Sequence, residues 1–177
     1  MARGRRVRVP AIKLVARLKL IFDTSAVIYL MEKWGLVPEL LSLSAIHELL
    51  VPQRVREEFL NGDVSETDRS NIDRVFSLVS VSLDEELLPF FNFDSSDGAI
   101  WVISFVSRTQ GSCCVIDEEF GRSVCDTVGV KFTGSIGILR LMVKEGLIEA
   151  SRVKEVKTRI RKSSFYQKDW LLDEIDV

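Results

Sequence analysis

The chain has 177 residues, 46% of them hydrophobic and 28% charged, with a net charge of −2. One domain of ordinary size follows, long enough to bury a core. The balance excludes wholesale disorder, and the small net charge excludes a generic polyanion binder. Cys113, Cys114 and Cys125 are the three cysteines and His47 is the one histidine. They make neither a disulfide framework nor a zinc site, and the cysteines predict small buried thiols of a reducing compartment. No apolar run reaches membrane-spanning length, and Lys13, Arg17 and Lys19 interrupt any signal-peptide core. A cytosolic protein without a membrane span is expected.

Residues 1–17 form a basic arm, with Arg3, Arg5, Arg6, Arg8, Lys13 and Arg17 and no acid among them. Such an arm attracts nucleic acid, or is a solvated tail or basic first strand. Residues 18–177 read as one domain without repeat or linker. Residues 18–22 predict a short buried strand. Residues 25–34 predict a helix that Thr24 or Ser25 caps and Gly35 ends. A short helix over 38–46 follows, then the strand "HELLVP" ending at Pro52. Residues 53–60 predict a helix with Val55 and Phe59 on one face. Ser65 and Asp68 form a capping-box pattern before a helix over 66–76.

"SLVSVSL", residues 77–83, alternates in the strand manner. "DSSDGAIWVISFVSRTQG" predicts a helix capped by Asp94 or Ser95 and ended by Gly111. "CCVID", residues 113–117, is a buried strand ending in an acid. A helix over 119–128 with Gly129 as its cap, a strand "VKFTG" and a helix "SIGILRLMVKEG" follow. Residues 149–161 and 167–175 predict two further amphipathic helices. Strands alternating with helices predict an α/β layer fold with a mostly parallel sheet.

In such a sheet, ligands sit beyond the C-terminal strand ends. Asp23 and Asp117 each follow an apolar strand and so project from one edge. Glu58, in the helix after the second strand, and Asp97, near a helix start, are placed to face the same edge. Four carboxylates there repel one another unless a cation neutralises them. A hard divalent ion with oxygen ligands, Mg²⁺ first, suits that set. Such an ion activates water against a phosphodiester without a side-chain nucleophile. This agrees with the lack of a Ser-His-Asp set and of a phosphate loop. Each acid also has a plain structural explanation. Asp23 suits a helix cap, Asp97 a first-turn acid, Glu58 helix surface, and Asp117 a solvated helix start.

The ordered set "FDTSAVI", "VPQRVREEF", "DGAIWVIS" and "CVIDEEFGR" resembles the PIN-domain ribonucleases, in particular the VapC-like toxin nucleases, over about residues 19–175. "VGVKFTGSIGILRLMVKEGLI" resembles one subfamily in which G-[TS]-x-G-[IVL]-L follows the last strand, and "KSSFYQKDWLLDEI" sits where that subfamily carries a closing helix. The resemblance implies a PIN-like three-layer α/β fold with a parallel sheet of four to five strands flanked by helices. It implies Mg²⁺- or Mn²⁺-dependent cleavage of RNA, with Asp23, Glu58, Asp97 and Asp117 as catalytic, metal-binding acids. Thr24 or Ser25 would support Asp23, and Glu118 would bind through a water. It also implies a homodimer and, for toxins, a cognate antitoxin.

The chain departs from the family in its basic arm and in "DSSDGAI", where the family often has "GEAEAI". Asp94 therefore competes with Asp97, and Glu57 with Glu58. Two functions follow: a metal-dependent endoribonuclease acting as a toxin, or a PIN-like RNA-binding or assembly module that does not cut. An aspartate-nucleophile phosphatase needs a second Asp where Ser25 stands.

Overall fold

The computed structural model describes residues 16–163 together with 172, 173 and 175. Arg3, Arg5, Arg6 and Arg8 lie outside the described residues, as does most of the expected helix over 167–175, of which Leu172 and Asp173 are helical. Five parallel strands form one sheet: β1 (Lys19–Phe22), β2 (Glu48–Pro52), β3 (Ser77–Val79), β4 (Ser112–Val115) and β5 (Phe132–Thr133). Their order is β3-β2-β1-β4-β5. β1, apolar in Leu20, Ile21 and Phe22, is buried between β2 and β4, in register Lys19↔Glu48 and Lys19↔Ser112. The chain builds outward from β1 through β2 to β3, then crosses back to lay β4 on the other flank. The gap between the C-terminal ends of β1 and β4 is thus the switch point where ligands enter doubly wound sheets.

The helices are α1 (Thr24–Val27), α2 (Val37–Ser44), α3 (Gln53–Asn61), α4 (Glu66–Val75), α5 (Gly98–Arg108), α6 (Glu119–Val128), α7 (Ser135–Lys144) and α8 (Ala150–Lys162). α5 packs on β1, β2 and β4. Its Ala99, Ile100, Val102, Ile103 and Val106 are buried there. Val55 and Phe59 point α3 into the same core, as their spacing requires. Ser65 caps α4, accepting from the Asp68 N–H at 3.1 Å while its hydroxyl donates to the Asp68 carboxylate at 2.7 Å.

The local structure departs from these expectations in several places. The helix after β1 widens from α1 into a π-helix over Ile28–Lys33, which the Trp34 N–H extends by donating to the Tyr29 carbonyl five residues back. β3 stops at Val79 although the alternation runs to Leu83, because its partner β2 ends at Pro52, opposite Val79. A 3₁₀-helix over Glu85–Phe91, capped by Asp84, fills a stretch with no sequence assignment. α5 is capped by Asp97, not by Asp94 or Ser95: its Oδ1 accepts from the Ala99 N–H at 2.9 Å. Cys114 and Cys125 are buried free thiols, whereas Cys113 is half-buried rather than enclosed. Among the described residues no helix is long and apolar enough to cross a membrane.

Candidate active site

Asp23 follows β1 directly, and its N–H donates to the Val115 carbonyl at 3.0 Å. That bond fixes the acid at the β1–β4 switch point. Asp23 occupies the N-cap position of α1 without making a cap hydrogen bond, so the plain capping role does not account for it. Its carboxylate instead accepts from the Ser25 hydroxyl at 3.0 Å. The residue is 5% exposed. Burial chiefly pushes its pKa up, to about 7; the Thr24 backbone N–H and then the Ser25 hydroxyl oppose the rise, and the nearby Glu118 and Asp97 charges add to it.

Glu58 comes from the second turn of α3. The Thr24 hydroxyl donates to its Oε2, and Arg54, one turn earlier, pairs with its Oε1 at 3.3 Å. Glu57 beside it bonds Gln53 at 2.9 Å, so of the two glutamates Glu58 is the one that meets the β1 edge. Gly98 shows how close the meeting is. A Cβ built there would lie 2.7 Å from Glu58 Oε2 and 3.1 Å from both Asp23 Oδ1 and Thr24 Oγ1. Three oxygens, from the residue after β1, from α1 and from α3, surround one small space that the first residue of α5 leaves open by having no side chain.

Asp117 lies two residues beyond β4. Its Oδ1 accepts from the Ser135 N–H at 2.8 Å and its Oδ2 from the Ser135 hydroxyl at 2.5 Å. Arg122 stands 3.5 Å from Oδ1 and donates to the Ile116 carbonyl at 2.8 Å. Burial is the main force raising the Asp117 pKa, against the Ser135 bonds and Arg122. Gly134 leaves room for this arrangement, since a Cβ there would sit 2.7 Å from Asp117 Oδ1. Glu118 is exposed, and its carboxyl is pushed up by partial desolvation and then by the Asp97, Asp117 and Glu58 charges. Asp94 instead accepts locally from the Ser96 N–H at 2.8 Å.

The structure thus brings Asp23, Glu58, Thr24 and the start of α5 together, with Asp97 and Glu118 within electrostatic reach, and binds Asp117 to Ser135 and Arg122. The full convergence of four carboxylates expected from the sequence is not made. Among the described residues no three His, Cys, Asp or Glu side chains are near enough to hold one ion. The donor chemistry, carboxylate and hydroxyl oxygens around an open space, fits a hard divalent cation that keeps several of its waters. A cation there would also lower the raised pKa values of Asp23 and Glu118.

Arg54, Arg122 and Gly98 have no role assigned from the sequence, whereas Gly134 and Ser135 open the G-[TS]-x-G-[IVL]-L pattern. The i, i+4 spacing of Arg54 and Glu58 is a signal that was present. Ser135, opening a helix straight after a strand, stands where strand-end chemistry is placed.

A family model described as a PIN domain matches residues 19–176. Searches of curated proteins and of solved structures return no significant match. PIN domains are generally nucleases and typically use divalent metals. On this match and this fold, the chain belongs to the PIN domain family.

Proposed function

We propose that the chain is a metal-dependent endoribonuclease, Mg²⁺ or Mn²⁺ being the ion, and that it acts as the toxin of a toxin–antitoxin pair. The observation that carries the hydrolytic part is the ring of oxygens from Asp23, Glu58 and Thr24 around Gly98 at the switch point. Asp23 and Glu58 would hold the ion, with Asp97 and Glu118 acting through its waters. When bound, a divalent cation supplies a water activated as nucleophile and stabilises the leaving oxygen. Ser25 and Thr24 hold the Asp23 and Glu58 carboxylates in place. Arg54 and Arg122, beside Glu58 and Asp117, supply positive charge for the phosphate backbone. Asp117, tied to Ser135, keeps the β4 side of the site negative and ordered. The toxin role, a cognate antitoxin and a homodimer rest on the resemblance to VapC-like nucleases.

A second function, RNA binding without cleavage, is favoured by the bonds that engage Glu58 and Asp117 with Thr24, Arg54, Ser135 and Arg122. Incubating mixed-sequence single-stranded RNA with the protein and its Asp23→Asn form, in Mg²⁺, Mn²⁺ or EDTA, separates the two. Cutting that needs both metal and Asp23 supports the nuclease. Binding with no cutting in any condition supports the second function.

A further inference from the structure

A cleft of about 290 Å³ opens beside the acids, lined by Pro52, Gln53, Arg54 and Glu57 with Val81 and Trp101. Pro52 ends β2 at the same edge of the sheet as the acids, and Gln53 to Glu57 are the first turns of α3. Trp101 stands one helical turn after Asp97 on α5. Its ring is half-buried against the core, and its Nε1 donates to the Ser95 carbonyl at 2.9 Å. The indole is therefore pinned to the segment that delivers Asp97. Arg54 joins cleft to acids: its Nε donates to the Ser96 carbonyl at 2.8 Å and lies 3.3 Å from Glu58 Oε1.

We propose that this cleft is a nucleobase subsite, in which Trp101 stacks on one base of a single-stranded polynucleotide whose backbone passes Arg54 to the acids. The proposal rests on the reading of the acids as a phosphodiester-hydrolysing site. An aromatic ring held rigid beside a cation is how single strands are gripped: the ring stacks on any base and the cation follows the phosphates. A duplex keeps its bases stacked on one another and has none to offer the cleft, so the substrate is single-stranded next to the bond that is cut. Gln53 and Glu57, bonded to each other at 2.9 Å, place an amide and a carboxylate at the cleft, where the edge of the stacked base would lie.

The test measures binding by fluorescence anisotropy in EDTA, so that no cleavage intervenes. The probes are a short single-stranded RNA, the same strand with abasic positions, the same sequence as DNA, and the RNA duplex. The proteins are the full chain, Trp101→Phe and Trp101→Leu, each checked for unchanged thermal melting. The wild type should bind the single strand well, the abasic strand and the duplex poorly. Trp101→Leu, which keeps an apolar side chain but has no stacking face, should weaken single-strand binding by about ten- to a hundredfold and no longer distinguish the abasic strand. Trp101→Phe should retain most of the affinity and the discrimination. DNA bound like RNA assigns the recognition to the base alone, while RNA bound more tightly adds a contact to the 2′-hydroxyl; both agree with stacking. Equal binding of base-bearing and abasic strands by the wild type, unchanged affinity in Trp101→Leu, or no binding of any single strand overturns the proposal. Base-dependent binding by a protein that fails to cut leaves the subsite standing and removes the nuclease. Metal-dependent cutting indifferent to Trp101 does the reverse.

Discussion

Replacing Asp23 by Asn should make the protein more stable while removing its activity, and the gain should depend on pH in a defined way. Burial raises the Asp23 pKa from the ordinary 3.8 to about 7. Between those values the folded state holds a proton that the unfolded chain has released, so wild-type stability falls as pH rises through this window. Below about pH 4 both states are protonated and Asp23 contributes no penalty. Above about pH 7 the penalty is complete. At about 1.4 kcal/mol per pH unit, the rise corresponds to about 4 kcal/mol at most. Asn carries no charge at any pH and its amide oxygen can still accept from Ser25. The variant should therefore match the wild type near pH 4, gain on it steadily to pH 7, and hold a constant lead of up to about 4 kcal/mol at pH 8. Urea unfolding in EDTA across pH 4–8 reads this directly. Adding Mg²⁺ at pH 8 should narrow the gap by stabilising the wild type alone. A gap that does not change with pH, or a variant less stable at pH 8, would refute the reasoning.

Other perturbations follow from the same geometry. Gly98→Ala puts a methyl group 2.7 Å from Glu58 Oε2, and the carboxylate must move; Mn²⁺ affinity by calorimetry and RNA cleavage should each drop about tenfold or more, while alanine in the first turn of α5 leaves the melting temperature nearly unchanged. Ser135→Ala removes the hydroxyl that donates to Asp117 and should cost about 1–3 kcal/mol at pH 8. Because the lost bond favours the charged carboxylate, that cost should shrink as pH falls and Asp117 becomes protonated, as urea unfolding at several pH values would reveal. Phe59→Ala empties a fully buried site next to Glu58 and should destabilise the fold by about 3–5 kcal/mol in the same assay.

The β1–Asp23–α1 junction was legible because an apolar strand, an acid and a helix start follow one another without a gap, and the fold needs all three there. The parallel sheet was legible for a related reason: each buried strand is followed by an amphipathic helix whose phase is set by pairs such as Val55 and Phe59. β3 was overdrawn because alternation is a property of one strand, whereas pairing depends on its partner, and β2 turns into α3 at Pro52. The α5 start was ambiguous because Asp94, Ser95 and Asp97 all suit a cap. What separates them is tertiary: Gly98 must sit against Glu58 and Asp23, and that puts Asp97 at the cap. The engagement of Asp117 by Ser135 and Arg122 is likewise a contact between β4, α6 and α7 that no local pattern encodes. The Trp101 cleft is assembled from β2, α3, α5 and the segment after β3, so the tryptophan alone reads as core.

The measurement that bears most directly on the central claim is the rate of single-stranded RNA cleavage as a function of Mn²⁺ concentration, for the wild type and Asp23→Asn at pH 8. The expected result is cleavage that saturates with Mn²⁺ in the wild type, vanishes in EDTA, and is absent from a variant that is folded and more stable than its parent. Cleavage by Asp23→Asn at the wild-type rate, or cleavage by the wild type that persists in EDTA, would contradict the assignment of the oxygens around Gly98 as the metal-dependent hydrolytic site.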